Sequence, residues 1–438
     1  MSQQIDDEAA SYRVPAAPVH DPYAALRLRD FRFFVAGVFL AVLGEQMLSV
    51  AVGWELYRRT QSALALGMVG LVQVLPVVLL ALVTGQVADR FDRKRISIAT
   101  MGAVSLCAFG LMGLSAARGP LPLIYGCLLG IGVARAFQSP ALSALVTQVV
   151  PPEHFGNAAT WESSIWQVAA IAGPALGGLV IGLRASATLA YGLTGGLLLL
   201  VAALFLMLRP RPVERETASP DLGSLLAGLR FVWSSKLILA AITLDMFAVL
   251  LGGATALLPI FAEDVLKVGP GGLGWLRAAP SIGAVLAALS LAHLPPFKRA
   301  GRTLLVVVAG FGLVTVVFGL SRSFGLSLAM LGLLGALDNI SVVIRSTLLL
   351  TRTPDALRGR VNAVHYVFIG ISNELGAFES GVAAALLGAV GAVVAGGAGT
   401  VLVVLWVAWK WPEVRRLGRL EPDSPLPAPE EEQERLLI

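Results

Sequence analysis

Long apolar runs separated by short polar breaks make up most of the chain. They fall at 33–57, 66–88, 96–117, 121–147, 158–183 and 185–208, and again at 237–261, 270–294, 303–321, 325–349, 361–388 and 389–410. A helix needs about 20 predominantly apolar residues to cross a bilayer, so each run is long enough. Hydrocarbon offers the backbone no water, which restricts spanning segments to helices and closed barrels. The runs lack the period-2 alternation of barrel strands. The pattern predicts an all-α polytopic membrane protein with twelve transmembrane helices.

Composition agrees: only 14% of the 438 residues are charged and 56% are hydrophobic, against roughly 25% charged in soluble domains. An ordinary soluble enzyme is excluded. The net charge of +5 would suggest nucleic acid if it were spread evenly, but it is not. Arg27, Arg29, Arg32, Arg90, Arg93, Lys94, Arg95, Arg209, Arg211, Lys298, Arg299, Arg302, Arg352, Arg358, Lys410 and Arg415 lie before the first run or after even-numbered runs. The opposite loops hold Arg58, Arg59, Arg118, Arg184, Lys267 and Arg322. By the positive-inside rule this asymmetry puts both termini in the cytoplasm, so the basic balance reports topology and no nucleic-acid partner is expected. The first residues carry acids and no apolar h-region, hence no cleaved signal peptide. Cys107 and Cys127 lie inside apolar runs and read as small packing residues. No metal site or cofactor is suggested.

Arg209 to Lys236 is much longer than the other breaks and rich in Pro, Ser and charge. It divides the chain into a tail (1–32), a first six-helix bundle (33–208), a linker (209–236), a second bundle (237–411) and a closing tail (412–438), both tails cytoplasmic. The spacing of apolar residues from Leu222 to Trp233 fits either a helix lying flat on the membrane face or a solvated loop. Met1 to Leu26 and Glu421 to Ile438 are polar, proline-bearing and expected to be disordered. VVPPEHFGNAA before the fifth helix matches TRTPDALRGRVNAV before the eleventh. The match implies an internal repeat, the usual plan of a secondary transporter with its site between the repeats.

GQVADRFDRKR, Gly85 to Arg95, joins the second and third runs. A stop-transfer cluster needs only Lys and Arg; it does not need Asp89. The stretch resembles the signature loop of the major facilitator superfamily: Gly, three residues, Asp-Arg, two residues, Arg-Lys, with Asp92 where the family usually has glycine. The resemblance implies twelve helices in two bundles with pseudo-two-fold symmetry. It also implies a cytoplasmic gate formed by Gly85, Asp89, Arg90, Arg93 and Lys94, in which Asp89 faces the region of Arg360 to Ala363. AAIAGPALGG holds Gly173, Pro174, Gly177 and Gly178 and is similar to the Gly-Pro motif of the exporting, antiporter branch; generic small-residue packing is the alternative. The stretches FQSPALSALVTQVV from Phe137, SKLILAAITLDMFAVLLGGATALLP from Ser235 and FIGISNELGAFESG from Phe368 resemble the branch that holds the enterobactin exporters of bacterial inner membranes. That implies a multi-pass inner-membrane protein.

Charges in hydrocarbon are rare and normally face a cavity or a partner. At ~1.5 Å per residue, Glu45, Arg135 and Asp338 fall near the midplane and Asp245 slightly nearer the cytoplasm. In the superfamily the first, fourth, seventh and tenth helices line the central cavity. The four groups are therefore either a proton-coupling set or a fixed network of ion pairs. Glu374 and Glu379 are further coupling candidates. Gln46, Asn339, Trp166 and Tyr366 are candidates for the substrate cavity, though packing roles fit them too. Glu162 reads as a cap or gate. Arg277 and Arg345 lie toward helix ends and are expected to snorkel.

No G-x-x-x-x-G-K-[ST] occurs and no lysine follows a glycine, so nothing supports ATP-driven transport. The expectation is a non-enzymatic secondary active transporter acting as a monomer. It would export a siderophore-like or amphipathic small molecule against protons by alternating access; multidrug efflux or lysophospholipid transport is the alternative.

Overall fold

The computed structural model describes residues 21–211 and 222–420, without the side chains at 81–82, 86, 88–89, 222–226, 356, 363 and 366. We label the crossing helices α1 to α12. The first bundle holds α1 (Arg29–Thr60), α2 (Ala63–Arg90), α3 (Arg93–Ala116), α4 (Leu121–Val149), α5 (Phe155–Arg184) and α6 (Thr188–Leu206). In the second, α7 (Lys236–Val265) breaks at Gly252 and resumes as short 3-10, α and π turns. It is followed by α8 (Gly269–Ala292), α9 (Ala300–Leu320) and α10 (Phe324–Arg352). The segment Asp355–Lys410 is helical throughout except at Gly388, whose φ of 75° and ψ of 159° reverse the chain. Only glycine takes that conformation without strain, so α11 (355–387) and α12 (389–410) need no connecting loop.

The helices overrun the apolar windows because their polar ends continue past the hydrocarbon. At 1.5 Å per residue the 32 residues of α1 span about 48 Å, well beyond a core of about 30 Å. Lipid is as apolar as leucine, so close van der Waals packing has to hold such helices together. Within the first bundle Phe34 stacks on Phe205 at 6.0 Å. In the second, Phe261 stacks on Phe318 at 4.7 Å.

The first and last described residues, 21 and 420, lie on one face, here the terminal face; the other is the distal face. The bundles meet through small residues near the distal ends of α2 with α11 and of α5 with α8. A Cβ on Gly178 would lie 2.4 Å from the Pro270 carbonyl and 2.8 Å from Gly274 Cα, and one on Gly67 would lie 2.9 Å from Gly381 Cα. A Cβ on Gly85, at the terminal end of α2, would meet nothing within 4 Å among the described residues. The molecule is closed on the distal face.

The chain outside the bundles differs from the sequence expectation. Residues 21–26, expected in a disordered tail, are ordered. Asn157 Oδ1 accepts from Ala25 N at 3.0 Å, and Asn157 Nδ2 and Trp161 Nε1 donate to Pro22 O at 2.7 and 3.0 Å. Ala25 is fully buried. Burial of that short helix and the three hydrogen bonds outweigh the polar composition. Residues 1–20 and 421–438 lie outside the described residues. In the linker, Leu222–Ser234 is a helix docked on the second bundle. Val232 is buried against Ile238, Ile242, Leu349 and Leu357, and a Cβ on Gly228 would lie 3.0 Å from the Arg360 backbone. At the other end, Ala300 N donates to Gly418 O at 3.0 Å, and Lys236 pairs with Glu413 at 3.5 Å.

If the distal closure depends on the Gly178–Gly274 approach, Gly178→Leu will hold the bundles apart there. In a chain with Cys107 and Cys127 replaced by alanine, cysteines at positions 182 and 271 should crosslink several-fold less with Gly178→Leu than without it. Gly85→Leu should leave the yield as it was; undiminished crosslinking with Gly178→Leu refutes the close-approach account.

Candidate functional site

Two chambers lie along α1 and α4. The first, about 560 Å³, runs between α1, α4 and α5 and is lined by Glu45, Gln46, Arg135, Gln138, Glu162 and Trp166. Its wall reaches Leu142, Ser143 and Glu162, close to the terminal ends of α4 and α5. The second, about 250 Å³, lies between the bundles, with Gln73 from the first bundle and Thr255, Arg277, Asn373 and Glu374 from the second. Ser49 and Arg135 line both.

Arg135 is the hinge of this geometry. It donates to Gln73 Oε1 at 2.8 Å and pairs with Glu45 Oε2 at 3.2 Å. Gln138, three residues on, shares its face of α4 and donates to Glu45 Oε1 at 3.1 Å. Both carboxylate oxygens of Glu45 are thus held by α4. The side chains of Arg135 and Glu45 keep 31% and 21% of their surface exposed; Glu45 faces the first chamber and Arg135 faces both.

Asp245 and Asp338 lie elsewhere. Asp245 forms an ion pair with Arg345, both almost fully buried, and Arg345 also donates to Ser341 Oγ at 3.1 Å. Asp338 lines the same small void among α7, α9 and α10 as that pair. The four midplane groups expected around one cavity therefore divide into a chamber-facing pair and a closed cluster inside the second bundle. Asp245 and Asp338 face the interior of their own bundle. The expectation that Arg277 and Arg345 snorkel is also corrected. Arg345 turns inward because Asp245 is within reach, and Arg277 enters the chamber and donates to Ser49 Oγ at 2.5 Å.

Glu374 lines the inter-bundle chamber. Glu379 is not among the lining residues and only receives a long contact of 3.5 Å from Ser380 Oγ. Gln46 and Trp166 line the first chamber. Asn339 is outside both, with Oδ1 buried and unpartnered. The side chains of Tyr366 and Asp89 lie outside the described residues.

Other residues of the loop after α2 act within the first bundle. Asp92 caps α3, accepting from Lys94 N at 2.9 Å and Arg95 N at 3.2 Å, a physical reason for an acid where glycine is usual. Lys94 Nζ donates to Leu206 O and Leu208 O at 2.9 and 2.8 Å. Arg93 donates to Ala144 O at 3.4 Å. Cations thus sit at the carbonyl ends of α4 and α6, where the helix dipole favours them. In α5, Gly173 and Gly177 face Leu43, Gln46 and Met47 of α1, while Gly178 and the Pro174 carbonyl face Gly274 of α8.

Sequence reasoning missed Ser49, Gln73 and Gln138, although Gln138 stands one helical turn from Arg135. It also missed a distal latch between the bundles. Tyr57 donates to Asp264 and Arg58 pairs loosely with Glu263 at 3.8 Å, joining the distal ends of α1 and α7.

The comparisons with known proteins agree in fold and family. A family profile described as transmembrane secretion effector matches residues 20–434. The enterobactin exporters EntS of Shigella boydii serotype 18 and of Escherichia coli are each 26% identical over 396 residues, covering 90% of this chain and 94% of theirs. Among solved structures, a bacterial homologue of the human lysosomal transporter Spinster, inward-facing and occupied, matches at a TM-score of 0.71 and 14% identity over 91% of this chain and 99% of that one. The nucleoside transporter NupG matches at 0.69 and 12% over 87% of this chain and 98% of its own. At such identities the structures establish the fold alone.

The two ion pairs should respond differently to loss of charge. Asp245→Asn strands a buried guanidinium, which costs on the order of 3–5 kcal/mol, and should sharply lower folded yield and thermal midpoint. Glu45→Gln keeps an acceptor in a partly hydrated wall and should change both far less. Equal losses in size-exclusion yield and thermal midpoint contradict the division.

Proposed function

Because the chain belongs to the transmembrane secretion effector family of the major facilitator superfamily, and so is a multi-pass membrane transporter, we propose that it exports a siderophore-like or amphipathic small molecule from the cytoplasm against protons. The distribution of basic loop residues supports cytoplasmic termini, and the relatives support a bacterial inner membrane. On that orientation the distal face is periplasmic, and the state described is closed outward and accessible from inside. Alternating access follows if the bundles rock about the chambers.

The single observation that carries the reading is the Glu45–Arg135 pair, in which Glu45 lines the first chamber and Arg135 lines both. An ionised Glu45 neutralises Arg135; a protonated one leaves it without a counter-charge, and in hydrocarbon that difference is large. A proton reaching Glu45 from outside therefore changes the charge of the cavity wall in the part of the cycle where cargo has left. Glu374, in the inter-bundle chamber, is the second coupling candidate. Within the same proposal, Asp89 and its loop close the cytoplasmic side when the distal side opens.

The test compares media of a deletion strain grown in low iron and complemented with wild type, Glu45→Gln or empty vector. Wild type should restore a siderophore-like metabolite to the medium and Glu45→Gln should leave it at the vector level. In everted vesicles, uptake of that metabolite should follow an imposed proton gradient with wild type only. A medium unchanged by the deletion counts against the cargo class, and full gradient-driven uptake with Glu45→Gln removes that residue from coupling.

A further inference from the structure

Three arginines stand inside the spans, and two have carboxylate partners: Arg135 has Glu45 and Arg345 has Asp245. Arg277 has none. Its hydrogen bond goes to the Ser49 hydroxyl across the bundle interface, its Nε is buried without an acceptor, and no carboxylate lies within 4 Å among the described residues. It lines the inter-bundle chamber. A guanidinium presents five donors in a planar fork suited to a carboxylate, and a cation in hydrocarbon is costly unless something compensates it.

From this we infer that Arg277 is the anion-recognition residue of the cargo site, and that the cargo carries a carboxylate-type anion on an apolar body. The inference rests on the exporter reading for the word cargo, and on the chamber itself for the chemistry. Leu48, Val52, Val69, Leu128 and Ile131 supply an apolar wall opposite the charge. The other charged groups facing the chamber are Arg135, already neutralised by Glu45, and Glu374, which comes within 4 Å of no cation among the described residues. Nearby Glu263 and Asp264 are held by Arg58 and Tyr57. A cargo that points its anion at Arg277 and a hydroxyl or amide donor at Glu374 pairs the two charged groups of the chamber that have no counter-charge among the described residues. Such an anion leaves in the direction that an inside-negative membrane potential favours.

The arrangement also explains why the cation comes from the second bundle. The Arg277–Ser49 bond joins α8 to α1, near the Gly178–Gly274 approach of α8 to α5. A ligand anion on Arg277 therefore acts on a residue that bridges the two moving parts.

The test is binding to the purified full chain in lipid nanodiscs, with hydroxynaphthoate and its uncharged amide as probes. Wild type should bind the carboxylate at least about tenfold more tightly than the amide, the discrimination expected from a charge-assisted pair. Arg277→Gln should lose that preference by weakening carboxylate binding alone, and Arg277→Lys should keep part of it. Ser49→Ala removes the cross-bundle hydrogen bond but leaves the cation, so it should retain the preference; a purely structural Arg277 would make Ser49→Ala resemble Arg277→Gln. Equal affinity of wild type for acid and amide, including binding of neither, overturns the inference, and so does a preference that survives in Arg277→Gln. Transport is scored separately. Carboxylate-selective binding with no gradient-driven uptake would sink the exporter reading and leave the anion site standing, whereas uptake with charge-blind binding would do the reverse.

Discussion

Hydrocarbon cannot solvate a charge, and the rest of this structure depends on how that constraint is met. Each ionisable group carried into the membrane has to find an opposite charge, a hydrogen-bond partner or a water-filled wall. Asp245 and Arg345 answer by closing on each other inside the second bundle. Glu45 and Arg135 also pair, but Glu45 lines the first chamber and Arg135 lines both. The first pair is almost fully buried, whereas the second keeps 31% and 21% of its side-chain surface exposed. The same chemistry thus occurs in two settings, and the difference between them is exposure.

The lack of a hydrophobic drive between helices in lipid sets the second feature. Packing has to come from close backbone approach, and small residues provide it where the bundles touch, at Gly178 with Gly274 and Gly67 with Gly381. Those contacts lie toward the distal face, reinforced by Tyr57 with Asp264. Toward the terminal face the first chamber reaches the ends of α4 and α5. Asp92, Arg93 and Lys94 anchor the loop after α2 to α3, α4 and the end of α6 in its own bundle. An interface of small residues toward one end and a chamber reaching toward the other is the asymmetry on which the proposed alternating access rests.

Much of this was legible in the sequence, for a physical reason. A crossing helix must be apolar along its length, so hydropathy fixed all twelve crossings, and even the α11–α12 boundary fell at Gly388, where the backbone turns. Rise per residue gives an expected depth for each charge but not the direction in which it points. A helix that is apolar all round offers little to orient it, and so Asp245 of α7 and Asp338 of α10 were expected at the central cavity, whereas both line a small void beside Arg345 inside the second bundle. Arg277 was read as a snorkelling end residue for the same reason. The ordered segment at 21–26 was hidden because its stability comes from Asn157 and Trp161, more than a hundred residues away. Polar composition alone could not reveal that.

If coupling runs through Glu45 as proposed, the carrier exchanges distal closure for terminal closure as the charge on that residue changes. The most direct measurement is a pair of spin-label distances in liposomes, one across the distal ends of α5 and α8 and one across the terminal ends of α2 and α11, followed as pH is lowered. The account predicts reciprocal movement: the distal distance lengthens while the terminal one shortens, and Glu45→Gln holds the low-pH distribution at every pH. Distances that change together, or that follow pH equally well in Glu45→Gln, would contradict it.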